Sequence, residues 1–343
     1  MLFVIAVAVA VAVGPAVHAE SGPKVRTFAA HDSLAIKPDA SDDAQQMLDD
    51  LAWTPQAFEV VAQSAVATDP FDALVLFASP RPRGHATTDR VVLEWHAARG
   101  ADGHAIEAPA VLVIHSLLPS MAIGRAIARS FANRGIHAFM LHMPDYGLRA
   151  NPQAQRDGAM FMPRFKQAVC DARRARDAIA ALPNIRVDHG IAIQGTSLGG
   201  FVVTVAAALD GAFDPVLLVL CGGDLFDMFA HGRFDTERVR AMLEESGFTG
   251  DRLRQLLRQV EPNRLAQRLD PARTWLFSAV VDRVVPPANS DALARTIGLD
   301  DLHHLHIAGG HYTAVLQLPV VMDAMVNRIE PAPSSPPSSP PAD

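Results

Sequence analysis

With 343 residues, 49% of them hydrophobic, the chain is long enough to bury one large α/β core or two smaller ones. Its 30 Lys and Arg against 37 Asp and Glu leave a net charge of -7 with no basic block, which argues against nucleic acid as a partner. The 2 cysteines, Cys170 and Cys221, cannot make a disulfide framework and, in apolar surroundings, read as buried free thiols.

The first stretch, residues 1–19 (MLFVIAVAVAVAVGPAVHA), is uncharged and apolar up to Gly14-Pro15. That run has the length of a secretory signal segment and falls short of the ~20 residues of a membrane span. Val17 and Ala19 are small residues at the −3 and −1 positions, so cleavage is expected between Ala19 and Glu20, with a secreted or periplasmic product and no stable membrane span. The segment has no Lys or Arg ahead of its apolar run, which keeps an uncleaved anchor or a mis-assigned start as the rival reading.

Residues 20–84 read as an N-terminal extension lying against the main domain. Within it DDAQQMLDDLAW and PQAFEVVAQSAV have the look of short helices, and FDALVLFASP of a further short element. From Thr88 the pattern sharpens. TDRVVLEWHA reads as a strand, with a turn at ADG. Apolar runs of strand length then alternate with helical stretches: AVLVIH, IHAFMLHM, GIAIQG, PVLLVL, TWLFSA and LHHLHI are the strands. Continuous apolar strands separated by helices predict an α/β fold, a mostly parallel central sheet covered on both faces. Right-handed crossovers gather the loops after the strands along one edge, where function should be sought.

Residues 223–270 interrupt the alternation with helical patterns alone. Leu253, Leu256, Leu257 and Val260 make one apolar stripe on a charged helix, as expected of a cap inserted over the strand ends. A packing elaboration with no role at the site is the alternative. Residues 331–343, PAPSSPPSSPPAD, are too rich in Pro and Ser to build a core and read as a disordered tail.

The chemistry concentrates in GTSLG, residues 195–199, placed between the strand GIAIQG and a helix. A serine at such a tight turn needs minimal side chains two residues to either side. Its hydroxyl is then lifted off the sheet edge at a helix N-terminus. Ser197 is the candidate nucleophile, and a hydroxyl needs a base. Among 14 histidines, His311 in AGGHYT alone follows the final strand, after a Gly-Gly that lets the loop bend back to the sheet edge. His303, His304 and His306 are divided between two strand faces, which argues against a shared metal. Asp282 in VVDRVVPP, after the penultimate strand, is the preferred carboxylate to orient the imidazole. Asp224 in LCGGDL is the competitor, although it also suits an N-cap for the cap segment.

From about residue 85 to 330 the chain resembles α/β-hydrolase-fold serine hydrolases: VLVIHS, GIAIQGTSLGG, VVDRVVPP and GGHYT resemble that fold's oxyanion strand, nucleophile elbow, acid loop and histidine loop, in order. GTSLGG with the later CGGD is similar to the dienelactone-hydrolase and acetyl-xylan-esterase-like branches, though true dienelactone hydrolases carry cysteine where this chain has Ser197. The resemblance implies an oxyanion hole from the backbone N–H of Leu198 and one from the loop after VLVIH, Leu117 first and Ser116 second. His115, Ser116 and Tyr146 of MPDYG lie at the same edge as candidate substrate contacts, a structural turn being the other reading of MPDYG. The expected activity is hydrolysis of a small carboxylic ester through an acyl-enzyme, with no metal or organic cofactor. A peptidase or acyltransferase on the same residues, or a non-catalytic binding member of the fold, are the alternatives.

Overall fold

In the computed structural model of the protein, residues 23–151 and 158–330 are described. The signal-segment reading of residues 1–19 and the tail at 331–343 lie outside them. Apolar runs bounded by turn residues pair into one mixed sheet of ten strands among the described residues: β1 (Val25–His31), β2 (Ala57–Ser64), β3 (Ala73–Ala78), β4 (Arg90–His96), β5 (Ala110–Ile114), β6 (His137–Leu141), β7 (Ala192–Thr196), β8 (Val216–Val219), β9 (Thr274–Ala279) and β10 (His304–Ile307). The order is β1-β2-β3-β4-β6-β5-β7-β8-β9-β10. The pairs from β1 through β4 to β6 are antiparallel, and those from β6 through β5 to β10 are parallel.

Every residue of β5, β6, β7 and β8 is buried, as parallel strands covered on both faces require. Side chains alternate between two cores. Ala110, Leu112 and Ile114 of β5 join the core on one face, while Val111 and Val113 join the other. The first core is closed by α1 (Asp42–Leu51), α4 (Phe161–Ala180), α5 (Leu198–Ala208) and α9 (Pro287–Ile297); the second by α3 (Ala122–Ala132) and α10 (Leu318–Ile329). The short α2 (Ala86–Asp89) precedes β4. Three further helices, α6 (Leu225–His231), α7 (Asp235–Glu245) and α8 (Gly250–Arg258), fill the break between β8 and β9. Leu253, Leu256, Leu257 and Val260 are all buried there, so the stripe read from the sequence faces inward.

One expectation is corrected. PQAFEVVAQSAV is the strand β2, not a helix, and β1, β2 and β3 extend the central sheet beyond β4. Val60 and Ala62 are buried while Glu59 between the strand's inward positions is exposed, an alternation of period two. The three histidines of LHHLHI divide as strand alternation predicts: His304 and His306 share a face of β10, both meeting Ser278 Oγ, at 2.8 and 3.2 Å. His303 turns away to Asp300, at 2.6 Å. Both cysteines are free and buried, and burial pushes their thiols up to about 12. No helix among the described residues is long and apolar enough to cross a membrane.

Candidate active site

The turn from β7 into α5 places Ser197 at φ 54°, ψ −117°, a strained conformation outside the usual regions for a residue with a side chain. Its amide donates to the Val219 carbonyl at 2.8 Å, tying the turn to β8. Backbone crowding explains the glycines. A Cβ on Gly195 would lie 2.3 Å from the Gly199 carbonyl oxygen, and one on Gly199 would lie 2.2 Å from that of Ile114. Only hydrogen fits at either position, so the pattern GTSLG is a steric consequence of bringing strand, turn and helix this close.

The loops after β9 and β10 are stitched together, Val280 N–H to the Ile307 carbonyl and Val281 N–H to that of Gly309, both at 3.1 Å. Gly309 supplies the φ of 108° that bends the second loop back. This brings His311 Nε2 to 3.0 Å from Ser197 Oγ and its Nδ1 to 2.7 Å from Asp282 Oδ2. The other carboxylate oxygen of Asp282 accepts the N–H groups of Val284 and Val285 at 2.8 and 3.0 Å, which leaves Oδ2 aimed at the imidazole. With Nδ1–H donating to the aspartate, Nε2 is the lone-pair nitrogen that faces the serine hydroxyl. Asp224 is elsewhere: its side chain accepts from Asn263 Nδ2 at 3.0 Å. It does not cap α6 with its side chain either. Glu261 does that work, accepting the N–H groups of Asp224 and Leu225 at 2.9 and 2.6 Å.

His115 was a candidate substrate contact, but both its ring nitrogens are taken by backbone. Nδ1–H donates to the Ser116 carbonyl at 2.7 Å, and Nε2 accepts the Met143 N–H at 3.3 Å. Burial, partly opposed by the bond to Ser116, pulls this imidazole down to about 4, so it stays neutral in that tautomer. The Ser116–Leu117 peptide is planar and trans, so fixing its carbonyl toward His115 turns the Leu117 N–H the opposite way. Tyr146 is likewise behind the loop. Its ring packs on His115 at 4.7 Å and its hydroxyl donates to the Leu117 carbonyl at 3.1 Å. Burial raises that phenol to about 12. Ser116 and Leu117 face open space with Ser197, and Leu198 lines the site from the helix side. Neither the Leu117 nor the Leu198 N–H donates to an acceptor among the described residues.

Two apolar clefts meet at Ser197. One runs under the cap among Phe161, Phe201, Met228, Phe229, Leu257 and Val285; the other lies between α3, the histidine loop and α10. Asp235, first residue of α7, reaches both, and its carboxylate accepts from Tyr312 Oη at 2.9 Å. Sequence reasoning missed this pair. The only local signal is an acidic residue opening a helix, and that says nothing about which loop it meets. Among the described residues no three His, Cys, Asp or Glu side chains gather into a metal-holding group.

Comparison with known structures agrees with the sheet and its helices. An acetyl xylan esterase from Paenibacillus sp. R4 superposes with a TM-score of 0.55 at 17% identity, over 84% of this chain and 96% of that one. A puromycin-hydrolyzing peptidase of Mycobacterium tuberculosis gives 0.54 at 17% identity, over 81% of this chain and 47% of that one. The chain has the α/β-hydrolase fold. A third structure with this α/β-hydrolase arrangement, the acylaminoacyl peptidase of Pyrococcus horikoshii, gives 0.51 at 10% identity, over 81% of this chain and 49% of that one. The chain thus spans about half the length of either peptidase. No protein-family profile and no curated protein sequence matches it.

Proposed function

We propose that this α/β-hydrolase is a serine hydrolase acting on a carboxylic ester. The observation that carries the reading is the unbroken line from Asp282 Oδ2 through His311 to Ser197 Oγ, at 2.7 and 3.0 Å. His311 Nε2 takes the Ser197 proton as Oγ bonds to the ester carbonyl carbon, whose oxygen becomes an oxyanion held by the Leu198 and Leu117 amides. The carbonyl re-forms, the bond to the alcohol oxygen breaks, and that oxygen takes the proton from Nε2. Water then enters, gives a proton to Nε2 and adds to the acyl carbon. Ser197 leaves with the returned proton and a carboxylic acid is released. Asp282 keeps the imidazole in the tautomer both halves need.

The apolar lining of both clefts suits uncharged acyl and alcohol groups and supports an ester over a charged substrate. Incubating the protein and Ser197→Ala with a fluorophosphonate and with p-nitrophenyl acetate tests this. Labelling and turnover in the wild type, with labelling absent and kcat lower by a factor of about 10⁶ in the variant, is expected. Absence of labelling in folded wild type would overturn the reading in favour of a binding member of the fold. Turnover of p-nitroanilides exceeding that of esters would move it to a peptidase.

A further inference from the structure

The two clefts at Ser197 differ in size and in which catalytic groups line them. The cleft under the cap has a volume of ≈ 70 Å³ and is lined by Ser197 and Leu198 but not by His311. The other has a volume of ≈ 200 Å³ and includes His311, together with Ile123, Ile127, Leu220, Val315 and Leu318. A proton leaving Nε2 must reach the alcohol oxygen within hydrogen-bonding distance, so the alcohol half has to occupy the cleft that His311 lines. The acyl half, on the opposite side of the attacked carbon, then enters the cleft under the cap.

A cavity of about 150 Å³ holds a benzene ring. The ≈ 200 Å³ cleft exceeds that and the ≈ 70 Å³ cleft is well below it. We propose that, given the serine-ester reading above, the substrates are esters joining a short acyl group, about two to four carbons, to an apolar alcohol or phenol of ring size. Asp235 adds a second restriction. Its carboxylate borders both clefts and is held by Tyr312 Oη at 2.9 Å and by Arg238 at 2.7 Å. It disfavours a carboxylate on either half of the substrate. Specificity would thus be divided, with the cap measuring the acid and α10 with its preceding loop measuring the alcohol.

The test measures kcat/KM for two series. One keeps the acid and compares benzyl acetate with methyl acetate, whose alcohols are of nearly equal acidity. The other keeps the phenol and compares p-nitrophenyl acetate, butyrate and octanoate. Benzyl acetate is expected to exceed methyl acetate by about tenfold or more, and butyrate to exceed octanoate by a similar factor. Val315 is partly exposed, so Val315→Trp fills the larger cleft without disturbing the core. It should cut benzyl acetate by about tenfold and leave the butyrate-to-octanoate ratio in place. Met228→Ala, on the cap, should raise octanoate relative to acetate. A wild type indifferent to the alcohol, or a Val315→Trp that alters the acyl-length ratio and spares the alcohol preference, would overturn the assignment. Fluorophosphonate labelling of Ser197 alongside separates the two claims, since labelled enzyme with reversed preferences sinks only the division of the clefts.

Discussion

Helices α4 and α5 lie side by side on one face of the sheet, yet they are held by different means. All but the first residue of α5 is buried, and apart from Thr204 its side chains are apolar or absent, as in a helix hydrophobic all round. In α4, two arginines and two aspartates are buried along with the apolar residues. Arg174 meets Asp32 through Nε at 2.9 Å and Nη2 at 2.5 Å. Arg173 binds both oxygens of Asp210 and also reaches Asp177, which in turn accepts the backbone and hydroxyl of Ser33 at 2.8 and 2.6 Å. Dry packing suits α5, because the Ser197 turn at its N-terminus depends on ångström-scale clearances. The ion pairs of α4 instead specify where the segment after β1 docks. Burying such charges yields little net stability, but removing one partner strands the other.

The comparison can be broken from either side. The largest effect is expected at the site: Asp282→Asn should lower kcat by about 10⁴-fold, since an amide no longer imposes the needed imidazole tautomer. Its melting temperature should stay close to wild type, and a kcat unaffected by the change would remove Asp282 from the mechanism. On the α4 side, Arg174→Met should cost about 3–5 kcal/mol in denaturant unfolding, because Asp32 keeps only the Trp53 and Gln56 N–H donors. Ester kcat/KM measured below the unfolding transition should hold. A coupled loss of activity would show that the two helices are not independent.

A smaller effect separates structure from chemistry at His115. Its imidazole is held near 4 in the folded protein against an ordinary value near 6.5. The unfolded chain therefore binds the extra proton first, and stability present above pH ~6.5 is lost as the pH falls toward 4, by about 3 kcal/mol. Wild type should lose that much more than His115→Gln over this window, by chemical unfolding at each pH. The smallest effect is the same variant's kcat at neutral pH, about tenfold lower as the Leu117 amide loses its fixed direction, with KM little changed. Equal pH dependence in the two proteins would mean His115 is not held neutral.

Much of the catalytic edge could be read from the chain, because its constraints are local. Strands β5 to β9 are short, mostly apolar runs with few polar residues, and the glycines of GTSLG answer to contacts within the same turn or with the adjoining strand. At β2 the chain misleads. Its twelve-residue stretch satisfies short helical and strand periodicities alike, and only pairing with β1 and β3 selects the strand. The choice between Asp282 and Asp224 is also tertiary. Both follow strands at the same edge, and what separates them is that the loops after β9 and β10 are hydrogen-bonded to each other, which carries Asp282 to His311. The sequence by itself determined the residue types, their order and the strand ends on which they sit. Which group meets Nε2 of His115, what caps α6, and how Asp235 and Tyr312 divide the space at Ser197 were decided only by the fold, because each depends on groups far apart in sequence meeting within a few ångströms.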